Sequence, residues 1–267
     1  MKNFMTKMQN VIKKSKAILF DLDGTIYLED ELIGDVKNTL KTLRENGKKI
    51  VYLTNNSSKT DDEYLEKLTR LGIYENGDIF YSSLDASVDY IKENFLDAKV
   101  YPLCTEKVKE YLVKSGITVS NDADTVLACF DRELNYEKIV LANELIVKGA
   151  RYIATHPDLV CPAKGVSLPD LGSFIEMFYY SSGRRPDVIV GKPYPQIAKG
   201  IMNKLNLKPD EITMVGDRLN TDMAFGINSN LNTVLVYSGE ATKESYIKSG
   251  LKVSLTLKDV NELIKYL

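Results

Sequence analysis

An α/β fold follows from three observations in this chain. Short, continuously apolar runs have strand length, helical stripes fall between them, and polar residues gather where the apolar runs stop. Unbroken apolar strands are buried on both faces, and alternation with helices implies parallel pairing under helical cover. At 267 residues the chain has room for one large domain or two modest ones. Its 44% hydrophobic and 27% charged residues are those of a globular protein rather than a disordered one.

Thirty-five basic side chains face 37 acidic ones, a net charge of −2 without the basic excess of a general nucleic-acid binder. No apolar run reaches the roughly 18 residues of a membrane-spanning helix. The uncharged stretch Met223–Gly239 is interrupted by Gly226, Asn228, Ser229 and Asn230. The N-terminal segment MKNFMTKMQNVIKKSK carries five lysines and no acid. Only Ala17–Phe20 follows as an apolar run, too short for a signal-peptide core. Cys104, Cys129 and Cys161 are odd in number and widely spaced, which fits reduced thiols in a cytoplasmic protein.

The elements read in order. Ala17–Phe20 is a buried strand, and Val36, Leu40 and Leu43 then share a helical face closed by Gly47. Lys49–Leu53 is the next strand. Asp61 or Asp62 caps a helix whose Leu65, Leu68 and Leu71 form a stripe that Gly72 ends. Further strands read at 79–81, 99–103, 125–130, 152–155, 188–190, 212–215 and 233–237, with helices at 136–148, 195–205 and 260–267 among those between them.

Four strand ends share one chemistry. AILF runs into Asp21-Leu22-Asp23-Gly24-Thr25, and IVYL into Thr54-Asn55-Asn56. VIVG runs into Lys192-Pro193, and ITMVG into Asp217, with Asp222 five residues on. Ligands of open parallel sheets bind beyond the carboxyl ends of the strands, so these tips can converge. Carboxylates, a hydroxyl, an amide and an ammonium suit Mg²⁺ together with a phosphoryl group. Asp and Gly after a strand are ordinary turn chemistry. The pattern D-x-D-G-T is not, with on the order of 10⁻³ chance matches at ordinary residue frequencies.

On these motifs the chain resembles the haloacid dehalogenase-like (HAD) phosphatases. Leu53–Ser58 (LTNNSS), Ala154–Asp158 (ATHPD), Gly191–Pro193 (GKP) and Gly216–Asp222 (GDRLNTD) make it similar to the NagD and 4-nitrophenylphosphatase subfamily. It departs from that pattern at Asn220, where an acid is usual, and at His156, where Asn is frequent. The resemblance implies a Rossmann-like parallel sheet and a Mg²⁺-dependent phosphatase of small phosphorylated metabolites.

Asp21 is then the nucleophile that forms an aspartyl-phosphate, and Asp23 the acid for the leaving alkoxide and the base for the attacking water. The side chains of Asp21 and Asp217 and the main-chain carbonyl of Asp23 are implied metal ligands, with Asp222 holding one of the metal's waters. Gly24, Thr54, Asn55 and Lys192 are implied to cradle the phosphate. Asn56, Asp131 and His156 are candidates for substrate contact, each with an ordinary loop role as its alternative.

Spacing locates the lid. Thirty residues lie between Asp23 and Thr54, too few for a domain, whereas 135 lie between Asn56 and Lys192. The surplus reads βαβ-like. The division expected is a discontinuous core of residues 1–83 and 185–267 with an α/β cap inserted at 84–184, hinged at Ser82–Ser83 and Ser181–Gly183. A homodimer is implied by the resemblance alone. Two competing readings are a non-catalytic phospholigand-binding or interaction protein and a phosphomutase. The presence of both Asp21 and Asp23 disfavours the first. The absence of room for a cap before Thr54 disfavours the second.

Overall fold

The computed structural model describes residues 11–163 and 166–267, so the first ten residues of the lysine-rich N-terminal segment lie outside the described residues. The chain divides into two units. The first comprises the chain up to Thr54, Asp62–Tyr81 and Pro193–Leu267; the second comprises Asn55–Asp61 and Ser82–Lys192.

The first unit is built on a six-stranded sheet in the spatial order Leu255–Leu257, Asn232–Val236, Ile212–Gly216, Ala17–Phe20, Lys49–Thr54, Ile79–Ser82. Every pairing from Leu255–Leu257 through Lys49–Thr54 is parallel. All four residues of Ala17–Phe20 and all five of Ile212–Gly216 are buried, as a sheet covered on both faces requires. Helices Val36–Glu45 and Asp61–Arg70 bury Leu40, Leu43, Tyr64 and Leu68 in one core with Phe20, Ile50 and Val215. Asp35 caps the first of these by accepting from Asn38 N–H at 3.4 Å. Strand order reverses at the central pair Ala17–Phe20 and Ile212–Gly216. That switch point is where an open α/β sheet offers a crevice beyond its strand ends.

The second unit carries a five-stranded parallel sheet in the order Val188–Ile189, Arg151–Ala154, Thr125–Ala128, Lys99–Leu103, Thr118–Val119. Helices Tyr136–Val147 and Leu171–Ser182 bury Ala142, Ile146, Ile175 and Phe178 with Val126 and Tyr152 from the sheet. Asn135 and Asp170 cap these helices, and Gly183 ends the second in the left-handed region. An antiparallel hairpin, Val160–Ala163 with Val166–Pro169, precedes Asp170. Ser82 is the N-cap of helix Ser83–Asn94 and exchanges bonds with Asp85 in a capping box.

Each predicted strand is present with its ends shifted by at most two residues, whereas Leu255–Leu257, Thr118–Val119 and the antiparallel pairs Tyr27–Leu28 with Glu31–Leu32 and Val160–Ala163 with Val166–Pro169 lie outside the predicted pattern. The 125–130 run leaves its ladder early because Phe130 N–H turns to the Ser57 hydroxyl at 2.9 Å. Residues 260–266 form a 3-10 helix, not the longer α-helix that periodicity predicts. Among the described residues no helix is long and apolar enough to cross a membrane.

Candidate active site

Strand ends explain the acid cluster of the first unit. Asp21 follows Ala17–Phe20, and its N–H extends the ladder by donating to Val215 O at 3.0 Å. Asp217 follows the adjacent strand Ile212–Gly216. Asp222 arrives through a π-helical turn, Leu219–Met223, in which Met223 N–H reaches back five residues to Arg218 O at 3.0 Å. One carboxylate oxygen from each of Asp21, Asp217 and Asp222 lies within 4.8 Å of the others. Asp217 and Asp222 are both buried.

Three like charges this close are costly without a counterion, and burial removes the water that would screen them. The Asp217 carboxyl is accordingly pushed up to about 6, first by burial and second by the Asp222 charge. Opposing that shift, Glu240 N–H donates to its Oδ2 at 2.7 Å. The Thr25 hydroxyl donates to Oδ1 at 3.3 Å. A set of hard carboxylate oxygens fits a small divalent cation, which the cluster can hold while leaving positions for water.

Backbone shape makes room for Asp217. Gly24 takes φ +85°, and a Cβ there would lie 2.5 Å from Asp217 Oδ2. A Cβ on Gly239 would lie 2.0 Å from the same oxygen. The segment Ser238–Ala241, after strand Asn232–Val236, braces this arrangement. The Ser238 hydroxyl donates to Gly24 O at 2.7 Å, and Ala241 N–H to Asp217 O at 3.0 Å. Sequence reading did not single out this segment. The signal was a fifth apolar strand running into a Ser-Gly tip. Asp23, two residues past Asp21, is exposed and bridges to Tyr27. Thr54 is buried at the end of its strand.

The second unit holds the remaining candidates. The side-chain amide of Asn55 is bonded to the backbone of Lys192, whose side chain is almost wholly buried. Asn56 Oδ1 accepts from Ser58 N–H and Oγ–H, both at 2.9 Å, as a loop-capping Asn does. Asp131 is buried, with one oxygen 2.8 Å from Lys138 Nζ and the other accepting Glu133 N–H at 2.8 Å. His156 is 1% exposed. Its Nε2 lies 3.0 Å from Asp170 Oδ1 and its Nδ1 3.0 Å from Thr155 Oγ1, which is 2.8 Å from Ser57 Oγ. A carboxylate can only accept, so Nε2 carries the proton that faces Asp170.

Comparison with known proteins defines the class. Residues 18–118 match the family described as haloacid dehalogenase-like hydrolase, and residues 189–263 match a HAD-hydrolase-like family. The chain belongs to the haloacid dehalogenase-like hydrolases. It is 34% identical over 255 residues to the acid sugar phosphatase of Staphylococcus aureus, covering 95% of this chain and 98% of that one. Its fold superposes on the 4-nitrophenylphosphatase of Thermotoga maritima with a TM-score of 0.92 at 35% identity, over 96% of this chain and 98% of the other. The NagD protein of Escherichia coli K-12 superposes with a TM-score of 0.85 at 27% identity, over 93% and 98%.

Proposed function

We propose that this hydrolase is a Mg²⁺-dependent phosphatase that cleaves a small phosphorylated metabolite, such as a sugar phosphate or nucleoside monophosphate, through an aspartyl-phosphate on Asp21. The observation that carries the reading is the clustering of Asp21, Asp217 and Asp222 beyond two adjacent parallel strands at the sheet's switch point. Relatives named acid sugar phosphatase and 4-nitrophenylphosphatase support the same reaction class.

The Asp21 carboxylate attacks phosphorus and the ester oxygen leaves. Protonated Asp23 gives that oxygen its proton, so the alcohol departs neutral. Asp23, now a carboxylate, takes a proton from water as the water attacks phosphorus, which frees orthophosphate and restores Asp21. The exposure of Asp23 suits a group that exchanges protons with both an alcohol and water. The side chains of Asp21 and Asp217 and the Asp23 main-chain carbonyl would hold Mg²⁺, with Asp222 holding one of its waters, and the ion would supply positive charge against the phosphoryl oxygens. Thr54 donates its hydroxyl and Asn55 its backbone N–H to the phosphate, while Lys192 neutralises charge on it. Residues 84–184 act as the cap that selects the leaving group, and the bonding of Asp131 and His156 supports a part for both in shaping that cap.

The test is phosphate release by the purified protein from a panel of sugar phosphates, nucleoside monophosphates and 4-nitrophenyl phosphate, with Mg²⁺ and with EDTA. Turnover that EDTA abolishes is expected. An absence of metal-dependent turnover across the panel would remove the reading.

A further inference from the structure

We infer that the side chain of Asn55 is the positioning residue for Lys192, a clasp that sets where the lysine's charge is delivered. This rests on the reading of Lys192 as the cation that neutralises the phosphate. Asn55 Oδ1 accepts the Lys192 backbone N–H at 2.9 Å, and Asn55 Nδ2 donates to the Lys192 carbonyl at 2.9 Å. The second Nδ2 proton goes to Asp158 Oδ2 at 3.0 Å. A single hydrogen bond lets a peptide pivot, whereas two bonds to one residue fix both its plane and its register. The three partners also admit only one orientation of the amide, because an N–H needs an acceptor and two oxygens need donors.

The surroundings are shaped for this contact. A Cβ at Gly191 would lie 2.7 Å from Asn55 Oδ1 and 2.5 Å from Thr155 O, so any side chain there displaces the amide. Gly191 N–H donates to Thr155 O at 2.7 Å, which ties the peptide before Lys192 to the loop that holds Asp158. Asn55 is gripped at its main chain as well, where the Ser83 hydroxyl donates to its carbonyl at 2.5 Å. Asp158 is in turn fixed where its carbonyl accepts Gly172 N–H at 2.7 Å. Asn55 and Asp158 are buried or half-buried, and a carboxylate acceptor makes the strongest bond of this set. The Thr155–Asp158 loop thus reaches Lys192 through one amide.

A double-variant cycle tests the clasp, with kcat/KM for 4-nitrophenyl phosphate and the competitive Ki of inorganic phosphate measured per folded molecule. Asn55→Ala should lower kcat/KM by about 10–100-fold, the scale of a small misplacement of a catalytic group. It should also weaken inorganic phosphate. In a Lys192→Ala background the same change should cost less than about threefold, since Asn55 then has no charge left to place. Losses that multiply in the double variant would overturn the clasp. Asp158→Asn keeps an acceptor but no charge, and should give a smaller loss of the same non-additive kind; additive behaviour there counts equally against it. It serves as the second probe if Asn55→Ala does not fold. A wild type that releases no phosphate removes the phosphatase reading and the positioning role together. An active wild type with multiplying losses removes the positioning role alone.

Discussion

The two units treat buried polarity in opposite ways. In the first, Asp21, Asp217 and Asp222 crowd like charges together, and Asp217 is held well above its ordinary range by burial and by Asp222. In the second, one run of buried polar groups is matched from end to end. Phe130 N–H meets Ser57, Ser57 meets Thr155, Thr155 meets His156, and His156 meets Asp170. A crowded anionic cluster gains most from a cation that comes and goes with function, whereas a matched network fixes shape. Stability and activity should therefore respond in opposite directions when each is disturbed.

The largest effect is expected at Asp21. Replacement by Asn keeps the volume and removes the nucleophile, so Asp21→Asn should lower phosphate release by at least about 10³-fold with an unchanged circular dichroism spectrum. Near-normal activity would dismiss Asp21 as the nucleophile. Next comes Gly239→Ala, which puts a methyl group against Asp217 Oδ2 while every acid of the cluster keeps its identity. Divalent-cation affinity, read by calorimetric titration, should fall by about 10–100-fold, as for other groups that orient metal ligands. An unchanged isotherm would mean that the Ser238–Ala241 segment gives way freely.

The contrast itself is tested by stability in EDTA. Asp217→Asn relieves crowding among three acids, so its urea midpoint should match or exceed that of wild type while activity is lost. His156→Ala takes one hydrogen-bond partner from each of the buried Asp170 and Thr155 side chains and should destabilise by about 1–3 kcal/mol. Equal destabilisation by both would erase the distinction between the units.

The acid cluster was legible in the sequence because Asp21 and Asp217 sit just past the ends of two apolar strands, with Asp222 five residues beyond Asp217, and strand ends are local signals. Parallel pairing of Ala17–Phe20 with Ile212–Gly216 then brings residues nearly two hundred positions apart to one place, as the rule for open sheets requires. The brace at Ser238–Ala241 was not legible, since Ser and Gly after a strand are ordinary turn residues, and the other donors of the brace are the backbone N–H groups of Glu240 and Ala241. The Asn55 clasp was hidden for a related reason, because its partners are main-chain atoms of Lys192 and any residue presents those. The pair His156 and Asp170 is separated by a hairpin whose second strand, Val166–Pro169, is exposed throughout and only four residues long. Two of the four points where the chain passes between units, Thr54–Asn55 and Lys192–Pro193, fall within motifs, and Asn55 is bonded to Ser83, Asp158 and Lys192 of the second unit.

The smallest effects concern groups kept neutral by burial. The Cys104 thiol is pushed up to about 12, first by desolvation and then by the Asp131 charge, and Cys129 is raised well above its ordinary value by burial. At pH 8 a thiol with that value is thiolate in roughly one molecule in 10⁴. A thiol reagent should therefore modify half-buried Cys161 first and reach Cys104 and Cys129 only in urea. The same shift has a stability consequence of definite sign. The unfolded chain releases the Cys104 proton near pH 9 while the folded chain retains it, so above pH 9 the unfolded state binds fewer protons. The stability contributed by Cys104 is thus complete below pH 9 and declines as pH rises toward 12. Its upper limit is about 1.4 kcal/mol per pH unit for one group. Burial raises Tyr27 in the first unit and Tyr152 in the second in the same direction. The urea midpoint should accordingly fall between pH 8 and pH 10.5 without any change in the order of thiol labelling. A midpoint that stays level over that interval would show that these groups ionise as readily in the folded chain as in the unfolded one.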